Sequence, residues 1–423
     1  MADLIIKGGR VLTPDSVVVD DGIVVVDSGL ITFAGKDTGE KAGKTIDARG
    51  CIVMPGLINA HTHLAMTLFR GWADDLAYKG WVKKIRKIEM KLTQADIRAG
   101  ANLGVLEMIK SGTTTFADMY IHMDEVASVV EKTGIRAALG YGMIEGINED
   151  SGSKLKIREE FNRKWNGAAD GRITTMYAPH SAASCSKEFL IKVREQASND
   201  KTNIHIHVLE TENELHLMKK RYGMCSVNLL DGMGFLGPDI LAAHCVWLSD
   251  GDIDILKTRK VNVVHCPSSN MALGAGVARV PEMLEKGINV ALGTDGCASG
   301  GSLDMWKEMR MASLLHKLKD PRYMPAEKVL EMATVNGAMA LNIKAGVLKP
   351  GSLADIIIVD LKKPHFTSSN LISSLVHSTS GCDVKSTIVN GKILMEDHKV
   401  MLDEEKIIED ARETILNITG NNN

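Results

Sequence analysis

Two grammars of apolar and polar positions alternate along this chain. Near its start, short apolar runs at Leu4–Lys7, Gly22–Asp27 and Leu30–Gly35 are punctuated by Gly and Asp and read as β-strands. The same grammar returns at Ala354–Asp360, at Lys385–Leu394 and around Val400, so a small β domain drawn from both ends of the chain is expected. Between these ends, helical periods of about ten to fifteen residues alternate with short apolar runs, the pattern of repeated β-α units. The runs are Gly56–His61, Thr113–Ala117, Ile135–Gly140, Ile173–Ala178, Ile204–Val208, Ile240–His244, Val261–His265 and Ile288–Gly293. Thr93-x-x-Asp96 and Ser249-x-x-Asp252 resemble capping boxes that start two of the intervening helices. Eight such strands over about 285 residues predict a (β/α)8 TIM-type barrel. We assign it to residues 58–344, beside a small β-sandwich domain composed of 1–57 and 345–423.

Composition narrows the function classes. With 423 residues, 44% hydrophobic and 24% charged, the chain is neither disordered nor collagenous. Lys+Arg 50 against Asp+Glu 53 gives a net charge of -3, without the basic footprint that phosphate binding needs, so nucleic acid is not an expected partner. No apolar run approaches the roughly 20 residues needed to cross a bilayer. The N-terminus carries Asp3 and lacks a basic region followed by an apolar one, and the expected location is the cytoplasm. The seven cysteines form no C-x-x-C pair, which argues against a disulfide framework and against a thiolate metal site.

The 13 histidines change the picture more, because they gather at the ends of the predicted strands. In a (β/α)8 barrel, chemistry collects at the C-terminal ends of the strands. His61 and His63 close the first run, His180 follows the fourth, His205 and His207 lie on the fifth, His244 and His265 end the next two, and Asp295 follows the last. His61-x-His63 places both imidazoles on one face of a strand, able to share an ion. His207 precedes Glu210 by three residues, and a strand end turning into a loop brings such a pair to one cavity. Asp295 beside Gly296 reads, alone, as a turn residue. Together, neutral imidazoles and a carboxylate make a nitrogen/oxygen site suited to one divalent ion, Zn2+ first, with Fe2+ and Mn2+ as alternatives.

Pro55-Gly-Leu-Ile-Asn-Ala-His-Thr-His63, His205-Ile-His-Val-Leu-Glu-Thr211, Ala243-His-Cys-Val246, His265-Cys-Pro-Ser-Ser-Asn270 and Gly293-Thr-Asp-Gly296 resemble, in order, the motifs of the amidohydrolase superfamily. More narrowly they resemble its methylthioadenosine/S-adenosylhomocysteine deaminase branch, which includes 5′-deoxyadenosine deaminases. The resemblance implies that His61, His63, His207 and Asp295 are metal ligands. It implies that Asp295 takes a proton from the attacking water, that Glu210 in its protonated form serves the ring nitrogen, and that His244 orients the nucleophile or stabilises charge. Glu89, otherwise one more charge on a basic helix, then matches the carboxylate that accepts hydrogen bonds from ribose, and His180 matches a substrate-contacting histidine. No lysine stands where binuclear relatives carry a carboxylated one; Pro179-His180 occupies that strand end and favours a single metal. His205 and His265 are expected to be structural residues of the barrel.

One departure bears on substrate. Members that accept homocysteine derivatives carry two arginines ahead of the His180 motif, and here the matching positions fall near Gly142-Met143 and at Lys154. Lysine does not reproduce the bidentate carboxylate clamp of arginine. The expected substrates are therefore 5′-deoxyadenosine and methylthioadenosine, with S-adenosylhomocysteine and adenosine weaker, turned over by a homo-oligomer. Two alternatives stay open at this point: a deaminase or chlorohydrolase of a free heterocycle (guanine, cytosine or a triazine), and a non-catalytic scaffold on the same barrel.

Overall fold

The computed structural model describes residues 2–14, 17–36, 39–144 and 151–420, and in the helix Ser151–Trp165 side chains from residue 155 onward. Five strands open the chain: β1 (Ala2–Leu12), β2 (Val18–Asp27), β3 (Leu30–Lys36), β4 (Ala42–Asp47) and β5 (Cys51–Pro55). Eight parallel strands follow: β6 (Leu57–Thr62), β7 (Thr113–Tyr120), β8 (Arg136–Met143), β9 (Ile173–Pro179), β10 (Asn203–Val208), β11 (Ile240–His244), β12 (Asn262–His265) and β13 (Val290–Leu292). Every residue of β6, β7 and β11 is buried, which is why these strands are written as continuous apolar runs rather than alternating ones.

The eight strands pair in sequence order from β6 to β13, and side chains close the ring. Asn59 Oδ1 accepts from the Thr294 N–H at 3.0 Å, Asn59 Nδ2 donates to Thr294 Oγ1 at 2.7 Å, and the Asp295 N–H donates to the His61 carbonyl at 3.0 Å. Gly293 makes this approach possible: a Cβ there would lie 2.8 Å from the backbone nitrogen and the Cβ of His61. Helix α1 (Tyr78–Glu89) crosses over the C-terminal ends of the strands, and α2 (Gln94–Ser111) begins with the Thr93/Asp96 capping box and ends at Gly112. Ser249 and Asp252 form the second expected box.

The chain's last strands, β14 (Ile356–Asp360), β15 (Val384–Val389), β16 (Lys392–Glu396) and β17 (Lys399–Val400), join β1–β5 in one nine-stranded sheet. Ile6, Val24, Ile46, Val53, Ile358 and Ile388 belong to its separate apolar core. The stretch read as one strand at Lys385–Leu394 is a hairpin, turned at Asn390-Gly391 with φ of 53° and 74°, the Asn-Gly chemistry of a type I′ turn. Helices Leu371–Ser378 and Glu404–Thr419 pack on barrel helices rather than on this sheet. We propose that the division at 344/345 holds for the strands, that the first boundary falls one residue earlier than 57/58 because Leu57 already pairs in the barrel as the start of β6, and that these two helices belong with the barrel. Sheet and barrel are joined by a buried ion pair: Arg136, opening β8, donates from Nε to Asp355 Oδ2 at 2.7 Å and from Nη2 to Oδ1 at 3.1 Å. Among the described residues no helix is long and apolar enough to cross a membrane.

Candidate metal and catalytic site

At the C-terminal rim of the barrel the backbone leaves the strands sharply. Leu209, His244, Cys245 and Asp295 all have positive φ, at 46°, 73°, 49° and 60°. Non-glycine residues are held there only when their surroundings over-determine them, and such strain collects at functional sites. Here it turns His244, Glu210 and Asp295 toward a common centre.

Four imidazoles surround that centre. Ring centroids of His61 lie 5.0 Å from His63, 5.0 Å from His207 and 5.3 Å from His244. In each ring Nδ1 is engaged: His63 on the Met119 carbonyl at 2.7 Å, His207 on the His180 carbonyl at 2.8 Å, His244 on Asn270 Oδ1 at 2.9 Å, and His61 on His205 Nε2 at 2.7 Å. A carbonyl only accepts, so those Nδ1 atoms carry the proton and Nε2 keeps its lone pair, as metal-binding histidines require. His61 Nε2 is fully buried without a hydrogen-bond partner, 3.5 Å from Asp295 Oδ1, and His63 Nε2 is 3.3 Å from the same oxygen. Donor atoms of His61, His63 and Asp295 lie within 4.8 Å of one another, as do those of His61, His207 and His244. An orphaned, buried ring nitrogen among imidazoles and a carboxylate fits a divalent ion. Burial draws His61 down to about 4, overcoming the pull of Asp295, and holds His207 well below the usual imidazole range.

The two carboxyl groups are pushed in opposite directions. Burial raises Asp295, but the imidazoles of His61, His63 and His244 outweigh it and hold Asp295 well below the usual carboxylate range. Its Oδ2 accepts from Ser269 Oγ at 2.6 Å and its Oδ1 from the Gly296 N–H at 2.8 Å. Glu210 is raised, chiefly by burial, and so keeps its proton more readily. Burial lowers His244, yet the facing Glu210 and Asp295 hold it above its ordinary value. An ionised carboxylate beside a carboxyl biased toward neutrality supplies a base and an acid in one cavity.

Glu89 and His180 stand at the edges. Glu89, ending α1, accepts from Tyr120 Oη at 2.7 Å, and the Tyr120 ring lies 6.0 Å from His63. The His180 ring lies 4.6 Å from His207, its Nδ1 is 3.1 Å from Ser184 Oγ, and burial draws it down to about 3. The structure therefore gathers every residue named from the motifs around one rim. It also adds residues the sequence reading passed over. His205, read as barrel filling, fixes His61. Glu214, assigned no role from the sequence, is buried and accepts from the backbone N–H groups of Leu209 and Glu210, each at 3.1 Å. Thr211-x-x-Glu214 is a capping-box spelling, and that was its signal. Near Gly142, the side chain of Lys154 lies outside the described residues, and the arginine present is Arg158. Its Nη2 donates to the Gly142 carbonyl at 3.0 Å and its guanidinium lies 4.4 Å over the Tyr141 ring.

With this geometry in view, comparisons with known proteins point one way. The amidohydrolase family profile matches residues 52–394. The chain is 57% identical to a 5′-deoxyadenosine deaminase of Methanosarcina acetivorans, covering 97% of both chains. It is 46% identical to a 5-methylthioadenosine/S-adenosylhomocysteine deaminase of Pelotomaculum thermopropionicum, covering 99% of this chain and 100% of the relative. Its fold matches an adenosine deaminase from Xanthomonas campestris with bound zinc at a TM-score of 0.95 and 30% identity, covering 99% of each chain.

Proposed function

The chain belongs to the amidohydrolase family, and on that premise we propose that His61, His63, His207 and Asp295 hold one zinc ion at the heart of an adenine-nucleoside deaminase. It is a metal-dependent hydrolytic enzyme that converts 5′-deoxyadenosine and related adenine nucleosides to the inosine analogue and ammonia. The observation that carries the assignment of roles is the convergence of the His61, His63 and Asp295 donor atoms within 4.8 Å around the buried, unpartnered His61 Nε2, with Glu210 held at the same rim by Tyr78.

A divalent ion supplies Lewis acidity, making water a nucleophile near neutral pH. Asp295, already ionised, takes the proton that water loses as its oxygen bonds to C6 of the adenine ring. Glu210 gives its proton to the adjacent ring nitrogen, so that the ring gains no net negative charge as C6 becomes tetrahedral. His244, held by Asn270 and flanked by two carboxyl groups, steadies the new oxygen. Asp295 then passes its proton to the amino group, the C6–N bond breaks and ammonia leaves, and the hydroxyl proton released as the C6 carbonyl forms returns Glu210 to its neutral state. Glu89 receives the ribose hydroxyls, and His180, neutral through burial, hydrogen-bonds the purine.

We further propose that small, uncharged 5′ groups are preferred. Arg158 is committed to Tyr141 and to the Gly142 carbonyl, which leaves it unlike a free clamp for an amino-acid carboxylate. Ammonia release measured across 5′-deoxyadenosine, methylthioadenosine, S-adenosylhomocysteine, adenosine, guanine and cytosine, with metal quantified in parallel, tests both statements. The highest kcat/KM is expected for the first two; S-adenosylhomocysteine clearly ahead overturns the 5′ preference, and turnover of the free bases alone overturns the nucleoside assignment.

A further inference from the structure

Tyr78 opens α1, 132 residues ahead of Glu210 in sequence, and its hydroxyl donates to Glu210 Oε2 at 3.1 Å. Nothing in the motif pattern assigns it a role. Its ring stacks on Trp81 at 6.4 Å with an interplanar angle of 23°, and the Trp81 Nε1–H donates to the Ala298 carbonyl at 2.9 Å. Of α1 only Ile85 and Ile88 are buried, so polar contacts made at the rim fasten this helix over the site.

Glu210 is restrained from both directions. Its backbone N–H is tied to Glu214, so the freedom left to it is rotation of its own side chain. A carboxyl group acting as an acid must carry its proton on one particular oxygen. An external donor settles which, because a neutral carboxyl accepts at its carbonyl oxygen and donates from the other. Burial and the neighbouring Glu210 push the Tyr78 phenol well above its ordinary value, so it remains a donor throughout the working range.

We propose that Tyr78 is a positioning residue for the reaction: by donating to Oε2 it makes that atom the carbonyl oxygen and keeps the transferable proton of Glu210 on Oε1. This rests on the reading of Glu210 as the acid of an adenine-nucleoside deaminase. A residue of this kind acts on the proton transfer and leaves nucleoside binding nearly untouched.

Three variants test it with 5′-deoxyadenosine as substrate. Tyr78→Phe keeps the ring on Trp81 and removes only the hydroxyl; kcat is expected to fall about tenfold with KM within about twofold, at unchanged metal content and Tm. Tyr78→Ala removes the stack as well and is expected to lose kcat at least as far while also raising KM. In Glu210→Gln, where no proton is left to place, adding Tyr78→Phe should change the residual rate by less than about twofold, the non-additivity of two groups acting as one. A Tyr78→Phe enzyme with the parent kcat, a loss confined to KM, or full additivity in the double variant each overturns the proposal and leaves Tyr78 as roof packing. If the unaltered protein releases no ammonia from the nucleoside, the deaminase reading fails first, and the role of Tyr78 with it.

Discussion

Removing the carboxylate of Asp355 should cost the protein a large share of its stability while leaving its chemistry intact. Asp355 is 3% exposed and Arg136 is 4% exposed, so the pair sits out of water. Asp355→Ala removes the acceptor of two charged hydrogen bonds from Arg136, at 2.7 and 3.1 Å, and of one from the Asn390 N–H at 2.8 Å. The guanidinium keeps a marginal bond to the Gly171 carbonyl at 3.4 Å, too long to replace what is lost. Breaking one side of a buried ion pair strands the other charge, at a cost of about 3–5 kcal/mol. Against a typical total of about 5–15 kcal/mol this is substantial, and with an unfolding entropy of about 2.1 cal/mol/K per residue it corresponds, for a chain of this size, to a fall of roughly 3–6 °C in apparent Tm. Replacing both partners by apolar residues of similar volume, Arg136→Met with Asp355→Leu, should recover most of the loss. Calorimetry and chemical denaturation on the two single variants and the double give the coupling energy directly. Metal content and kcat should stay at parent values, because β8 carries Arg136 roughly 23 Å from its catalytic end. The reasoning fails if Asp355→Ala loses less than about 1 kcal/mol, or if the double variant is no more stable than the singles.

Other outcomes follow from the rim itself. Glu210→Gln should keep its metal and lose at least about a hundredfold in kcat, measured as ammonia release; near-parent turnover would remove Glu210 from the chemistry. Glu89→Ala should raise KM for nucleosides about tenfold or more, and an unchanged KM would mean the ribose does not reach it. Glu308 accepts from the Ser268 N–H at 3.2 Å, and burial pushes its carboxyl up to about 8 from 4.5. The folded state therefore holds a proton that the unfolded state releases, and stability contributed by Glu308 is full below pH 4.5 and is lost as pH rises toward 8. Relative to the parent, Glu308→Gln should gain stability across that window by up to about 1.4 kcal/mol per pH unit, and parallel stability curves would refute the shift.

The barrel was legible because buried parallel strands must be apolar throughout, and β6 to β13 each fall on a predicted run. β4 and β5 were missed: Ala42–Asp47 is mostly exposed and polar, and Cys51–Pro55 merges with the run that becomes β6. Ligand candidates could be read because a strand end fixes where a side chain points. Their supports could not. His205 on His61, Asn270 on His244 and Tyr78 on Glu210 are contacts between segments far apart in sequence, set by the order of strands around the ring. Glu214 was within reach, since Thr211 caps the helix Glu212–Tyr222 as its spelling suggests. What the spelling hides is that the Glu214 carboxylate bypasses the cap and reaches back to Leu209 and Glu210.

The position of β5 has a consequence for how the protein is made. One edge of β5 pairs with β1, and the other pairs along its length with β14, from Ile356 opposite Pro55 to Asp360 opposite Cys51. On a ribosome moving at about 5–20 residues per second, the edge of β5 waits roughly 15–60 s for its partner to be synthesised. Throughout that interval an apolar strand with unpaired N–H and C=O groups is open to pairing with another chain. The whole barrel is translated during the same wait, so the nascent chain completes its catalytic half before it can seal its first.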